Sequence, residues 1–168
     1  MGFTAPELIN DLRQAMYQYE TQKLTNMNTE NLDYLKNSLL NLGFGDKVNA
    51  EMEQQIQAKA PEFTLATEQE YNGKKMDYTL HFKVGDQHEM YFLNRYDASL
   101  KNEADPTKDR MQTLYINKGH GITAKEAFNL MEGRSVEKKL YNRDNEPYTA
   151  WLKLEFKERD DYGNHKLQ

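Results

Sequence analysis

The sequence predicts an α+β fold: a curved antiparallel sheet of about six strands, with an N-terminal helical hairpin region and one inserted short helix, in the order ααα-ββββ-α-ββ. Three observations lead there. Apolar residues recur at helical spacing up to Pro61, and from Glu62 the period falls to two. Asn72-Gly73 parts two alternating runs, a strong hairpin signal because both residue types tolerate positive φ. The joints between the strands are short, which favours antiparallel pairing.

The first helix opens at "TAPE", where Thr4 caps, Pro6 suits the first turn and Glu7 completes a capping box. Leu8, Ile9, Leu12, Met16 and Tyr19 form its stripe, and the polar "TQKLTNMN" breaks the pattern. A second helix is predicted over 29–42, with Leu32, Leu35, Leu39 and Leu42 on one face and Gly43 as its stop. After the "GFGD" corner, Asp46 is the expected cap of a third helix with Val48, Met52 and Ile56 inward, ended by Pro61. The short joint predicts that these last two helices pack as a hairpin.

The strands follow. "FTLATEQEY" and "KMDYTLHFKV" flank the Asn-Gly turn, and Met76, Tyr78, Leu80, Phe82 and Val84 alternate with polar residues. "GDQ" turns the chain into "HEMYFLNRY", apolar on both faces over 90–93, hence a central strand. The charged "DASLKNEADPTKD" reads as a loop, and a fourth strand covers 110–117. A short helix led by Thr123 and Glu126 precedes the last pair, "RSVEKKLYN" and "YTAWLKLEF", joined through "RDNEP". In that last strand Tyr148, Ala150, Leu152, Leu154 and Phe156 share a buried face, with Trp151 opposite. Residues 1–158 are expected to form one domain, helical over 4–60 and sheet over 62–158, and 159–168 to fray.

Composition narrows the chemistry. The 168 residues contain no cysteine, which rules out disulfides, thiolate catalysis and Cys-ligated metal centres. The start of the chain carries neither a basic n-region nor an apolar h-region, so no signal peptide is expected. The net charge of −5 is uneven: 9 basic and 15 acidic groups over 1–100, then 9 and 6 over 101–143, then 4 and 6 over 144–168. The basic middle zone falls short of a dedicated duplex binder.

"KGHGIT" has the look of an anion-binding turn ahead of a helix, with Lys118 and His120 beside Gly119, Gly121 and Thr123. It lacks the glycine spacing of a dinucleotide loop and the Gly-Lys-Ser/Thr end of a P-loop. Backbone geometry and helix capping account for each of its residues, and that reading outweighs ligand binding. His81, His88, His120 and His165 show no metal-ligand spacing; no metal site or cofactor is expected. Glu68 and Glu70 read as solvated, and nothing beside Ser38, Ser99 or Ser135 would activate a hydroxyl, so no catalytic residue is assigned. Tyr71, Tyr78, Tyr91, Tyr96, Tyr115, Tyr141 and Tyr148 fall in or beside strands, where tyrosine is simply favoured; base stacking on single-stranded nucleic acid is the lesser reading. Trp151, with Arg134, Lys138, Lys139 and Arg143 near it in sequence, marks the last hairpin, together with the 117–123 turn, as the expected macromolecular contact surface.

Three blocks, "LDYLKNSLLNLGFGDKVNAEM", "MYFLNRYDASL" and "YINKGHGITAKEAFNLMEGRSVEKKL" followed by "YTAWLKLEF", resemble in their order uncharacterised proteins of gut anaerobic bacteria, many encoded on conjugative mobile elements. The resemblance covers most of residues 30–158 and supplies no catalytic residue or cofactor. It implies a cytoplasmic accessory protein of element transfer or maintenance. The expected function is a non-enzymatic interaction domain with a protein partner and no membrane. The alternatives are an acidic immunity or inhibitor protein, suggested by residues 1–100, and a small anionic-ligand binder at 118–123.

Overall fold

Helix α1, Ala5–Asn41, runs unbroken through the segment expected to interrupt it. The computed structural model describes residues 2, 4–86 and 90–168, and the side chains of these except for 23–28. The two predicted front helices are therefore one helix of 37 residues, about 55 Å long at 1.5 Å per residue. "TQKLTNMN" is polar but contains neither glycine nor proline, the residues that cost a helix most. Loss of an apolar stripe is not a stop signal.

The remaining elements are α2 (Asn49–Gln57), β1 (Glu62–Tyr71), β2 (Lys74–Val84), β3 (Tyr91–Leu100), β4 (Arg110–Tyr115), α3 (Ala124–Met131), β5 (Val136–Tyr141), β6 (Pro147–Leu152), β7 (Leu154–Glu155) and β8 (Lys166–Leu167). The α+β class holds, and all strand pairing is antiparallel. The strands do not make one six-stranded sheet. Strands β1 to β4 form an open sheet in sequence order, while β5–β6 and β7–β8 are separate two-stranded ribbons. Strand β3 runs on to Leu100, past the predicted loop start at Asp97, because Ala98 and Leu100 are buried on the core face. The cap of α2 is Val48 rather than Asp46.

The core lies against one face of the sheet. Leu35 and Leu39 from α1, its C-cap Leu42, Phe44 and Met52, and Ala127, Phe128, Leu130 and Met131 from α3 cover Met76, Tyr78, Leu80, Phe82, Tyr96 and Ala98. Phe44 sits edge-on to both Tyr78 and Tyr96, with ring centroids 5.1 and 5.0 Å apart. Asn31 is buried where α1 crosses the sheet. Its amide donates to Tyr91 O at 2.9 Å and accepts from Tyr91 N at 2.8 Å, standing in for a neighbouring peptide group. By contrast, Leu8, Ile9, Leu12, Met16 and Tyr19 on the first turns of α1 are each at least half exposed.

The tail does not fray. Gln112 donates to His165 O at 3.0 Å and accepts from His165 N at 2.9 Å. Asn164 Oδ1 accepts from Thr113 N at 2.6 Å, and Lys153 and Gln168 exchange two backbone bonds. The outer edge of β4 is thus closed by the C-terminal segment. An open edge would invite intermolecular pairing, and its closure leaves β5–β6 outside the main sheet.

Candidate functional site

Residues 117–123 form a structural bracket. Asn117 and His120 exchange backbone bonds of 2.8 and 2.9 Å around Lys118 and Gly119, whose φ values are 51° and 76°. This is a two-residue hairpin turn with both central residues at positive φ. A side chain on Gly119 would meet Ser38 Oγ at 2.8 Å and Tyr34 OH at 3.2 Å, so the turn is pressed against α1. A Cβ on Gly121 would meet Ile116 Cδ1 at 2.6 Å and Tyr115 O at 3.0 Å. Thr123 Oγ1 then accepts from Glu126 N at 3.2 Å while Glu126 Oε1 accepts from Thr123 N at 2.9 Å, a closed capping box.

The start of α3 is also clamped from below. Tyr96 donates to Ile122 O at 2.5 Å, Tyr78 donates to Ala124 O at 2.7 Å, and Ala124 N donates to Leu42 O at 2.8 Å. Burial pushes the phenols of Tyr78 and Tyr96 well above the usual tyrosine range; Tyr71 adds to the shift at Tyr78, and Tyr78, Glu126 and Tyr71 add to that at Tyr96. The most perturbed groups of the chain are thus held neutral and serve as donors to backbone. A small cavity of about 220 Å³ opens beside the turn, lined by Tyr34, Ser38, Phe92, Asn94, Lys118 and Gly119 among others, but His120 and Thr123 are not part of its wall.

The second predicted set is divided by strand parity. Trp151 is 67% exposed and pairs in register with Glu137, and exposed Lys139 and Tyr141 follow on the same face of the ribbon. Lys138 points the other way, where its ammonium lies 2.8 Å from Glu126 Oε1. Burial opposes ionisation of Glu126, but Lys138 and the Thr123 N–H outweigh it and hold the carboxyl below the usual range. Lys138 therefore supports α3 and lies on the ribbon face opposite Trp151. Arg134 is exposed, donates to Asn129 Oδ1 at 3.1 Å and reaches over the Phe128 ring. Hence Trp151 and Lys139 share a face, whereas Lys118, Gly119, His120, Gly121 and Thr123 serve the bracket.

Among the described residues no cluster of three His, Asp or Glu side chains could hold a metal ion. His88 lies outside them. His81 Nε2 sits 2.7 Å from Asp97 Oδ2 on the outer sheet face, and Thr113 Oγ1 donates to Asp97 Oδ1 at 2.6 Å. A carboxylate that orients a histidine is part of many catalytic sets. Here the hydroxyl bonds the carboxylate rather than the imidazole. The acids of residues 1–100 are spread over α1, α2, β1, β2 and β3, and Glu53, Glu68 and Asp77 pair with Lys36, Lys75 and Lys101.

Sequence reasoning missed a cleft of about 920 Å³ between the β1–β2 turn, the β3–β4 connection and the C-terminal segment. Six lysines and arginines and three glutamates line it, a local excess of positive charge on an acidic chain. Only the basic zone after residue 100 hinted at it, because Lys74 and Arg159 come from distant parts of the chain. No helix among the described residues is long and apolar enough to cross a membrane. Comparison with protein-family models, curated proteins and solved structures yields no match, so the fold and its surfaces are the ground for assigning a role.

Proposed function

We propose that the chain is a non-enzymatic interaction module that meets a protein partner through the outward face of the β5–β6 ribbon. The observation that carries this is Trp151, a large apolar side chain left 67% exposed on a ribbon separate from the main sheet. Tryptophan and tyrosine are enriched among residues that dominate binding energy, and exposed Tyr141 and Lys139 extend the same face. Glu137 directly opposite Trp151 disfavours single-stranded nucleic acid, since a carboxylate at the stacking position repels phosphate. The non-enzymatic reading draws support from the strongly shifted tyrosines, whose hydroxyls are spent on backbone carbonyls. The role as a cytoplasmic accessory protein of a mobile element rests on the resemblance of the three sequence blocks.

The test is affinity capture with the wild-type chain and with Trp151→Ser/Lys139→Glu. The double variant should lose a discrete protein captured by the wild type and melt within about 2 °C of it, as surface changes do. Retained capture would refute the surface. A melting point lowered by many degrees would make Trp151 structural.

A further inference from the structure

We propose that the cleft between the β1–β2 turn, the β3–β4 connection and the C-terminal segment binds a small phosphorylated molecule. Its volume of about 920 Å³ lies within the range of small-ligand pockets and far exceeds a lone phosphate. Its charge is suited to a multiply charged anion. Lys74, Lys75, Lys101, Lys108, Arg110 and Arg159 oppose Glu70, Glu103 and Glu132, leaving a net +3 within a chain of net −5. Part of this is neutralised in place: Lys74 lies 2.7 Å from Glu132, Lys75 2.6 Å from Glu68, and Lys101 3.6 Å from Asp77. Lys108 and Arg159 make no ion pair among the described residues and stay available.

The walls are pre-organised. In the β3–β4 connection Asn102 N donates to Asp109 Oδ1 at 2.7 Å, Asn102 Oδ1 accepts from the N–H groups of Ala104 and Asp105, and Asp105 Oδ1 accepts from Thr107 N at 3.1 Å. These bonds fix the segment that carries Lys101 and Lys108. Across from it, Arg110 lies 3.9 Å over the Phe156 ring and donates to Met131 O.

His165 gives an observation independent of charge. It lines the cleft, is only 5% exposed, and packs edge-on against Phe156. Its Nδ1 faces Glu158 O at 3.2 Å, and a carbonyl only accepts, so Nδ1 carries the hydrogen. Its Nε2 is buried without any partner. A buried polar atom left unpaired is unusual.

Calorimetric titration of the full chain with AMP, inorganic pyrophosphate, citrate and a short single-stranded oligonucleotide tests the assignment. AMP should bind, more tightly than citrate, and weaken as salt is raised. Lys108→Glu/Arg159→Glu, both exposed, should reduce AMP affinity by about tenfold or more with an unchanged melting point. Trp151→Ser should leave it unchanged, which separates this site from the protein-contact surface. Absence of binding by AMP and pyrophosphate at millimolar concentration would overturn the proposal. So would equal affinity for citrate, wild-type affinity in the double variant, or an oligonucleotide bound far more tightly than AMP, which would make the cleft a nucleic-acid groove.

Discussion

Replacing Tyr96 by Phe should destabilise the domain more than replacing Tyr78 by Phe, although both remove one buried hydroxyl. Each phenylalanine keeps its ring in the cluster with Phe44, so packing is nearly unchanged. The difference lies in the acceptors. Ala124 is the first residue of α3, and its carbonyl retains the intrahelical bond from the residue four positions on. Tyr78→Phe thus costs about the net worth of one hydrogen bond, about 1 kcal/mol. Ile122 precedes the helix, and Tyr96 is the donor to its carbonyl among the described residues. Removing it leaves a buried acceptor unpaired, a cost of about 2–3 kcal/mol, or a fall of roughly 4–10 °C in Tm for a chain of this size. Urea denaturation followed by far-UV circular dichroism measures both; the exposed Trp151 is a poor fluorescence reporter. Equal losses in the two variants, or a smaller loss for Tyr96→Phe, would refute the clamp as the reason these tyrosines are buried.

Stability should also fall steeply above pH 10. The folded-state pKa of both phenols is raised, so the unfolded chain releases these protons first, and their contribution, full below about pH 10, is lost at up to about 1.4 kcal/mol per pH unit for each; denaturation midpoints between pH 8 and 11 measure this, and a flat profile would contradict it. Gly119→Ala should cost about 1–3 kcal/mol, more than Gly45→Ala, because both have positive φ but only Gly119 would also press a Cβ on α1; thermal melts rank them. Lys138→Met should cost about 1–3 kcal/mol at neutral pH by leaving the half-buried Glu126 carboxylate with its Thr123 N–H bond but without its cation. Because the Glu126 pKa is lowered, that loss should shrink as pH falls below the ordinary glutamate range near 4.3, which melts at pH 7 and pH 3 would show. Gln112→Ala should lower Tm and speed hydrogen exchange at His165 N, since it removes two of the three side-chain bonds that tie the tail to β4; unchanged exchange would show the tail to be held otherwise.

Local chemistry in the sequence was read well where a residue type has one physical use. Asn72-Gly73 is a turn because both adopt positive φ, at 51° and 75°, and Thr123 with Glu126 is a capping box because their spacing allows reciprocal bonds. Long-range matching was not legible. His165 and Gln112 lie 53 residues apart, and only folding shows that an amide side chain can present a donor and an acceptor to a passing backbone. Asn31 does the same for Tyr91 over 60 residues. Lys138 and Lys139 could not be told apart until the register of β5 sent one toward Glu126 and the other outward. The stripe Leu8, Ile9, Leu12, Met16 and Tyr19 has helical spacing, yet such a pattern carries no information on whether another part of the same chain covers it.

Charge shows the same limit more sharply. The basic zone of residues 101–143 suggested one surface near the central turn, but folding divides it. Lys101, Lys108 and Arg110 enter the cleft, while Lys118 stays at the turn and Lys139 on the ribbon. The cleft is completed by Lys74 and Lys75 from the acidic first hundred residues and by Arg159 from the acidic tail. A linear count cannot find a site whose cations come from three segments with different net charge. The field felt by a ligand depends on distances of about a Debye length, roughly 8–10 Å at physiological salt, not on the sum over the chain. A protein of net −5 can therefore attract an anion. Neutralising Lys108 and Arg159 makes the chain only slightly more acidic but removes two of the three cleft cations that make no ion pair among the described residues, the third being Arg110. If net charge governed anion binding, any two surface lysines would serve equally; if the cleft governs it, substitution at Lys118 and Lys139 leaves affinity unchanged while substitution at Lys108 and Arg159 lowers it by about tenfold or more.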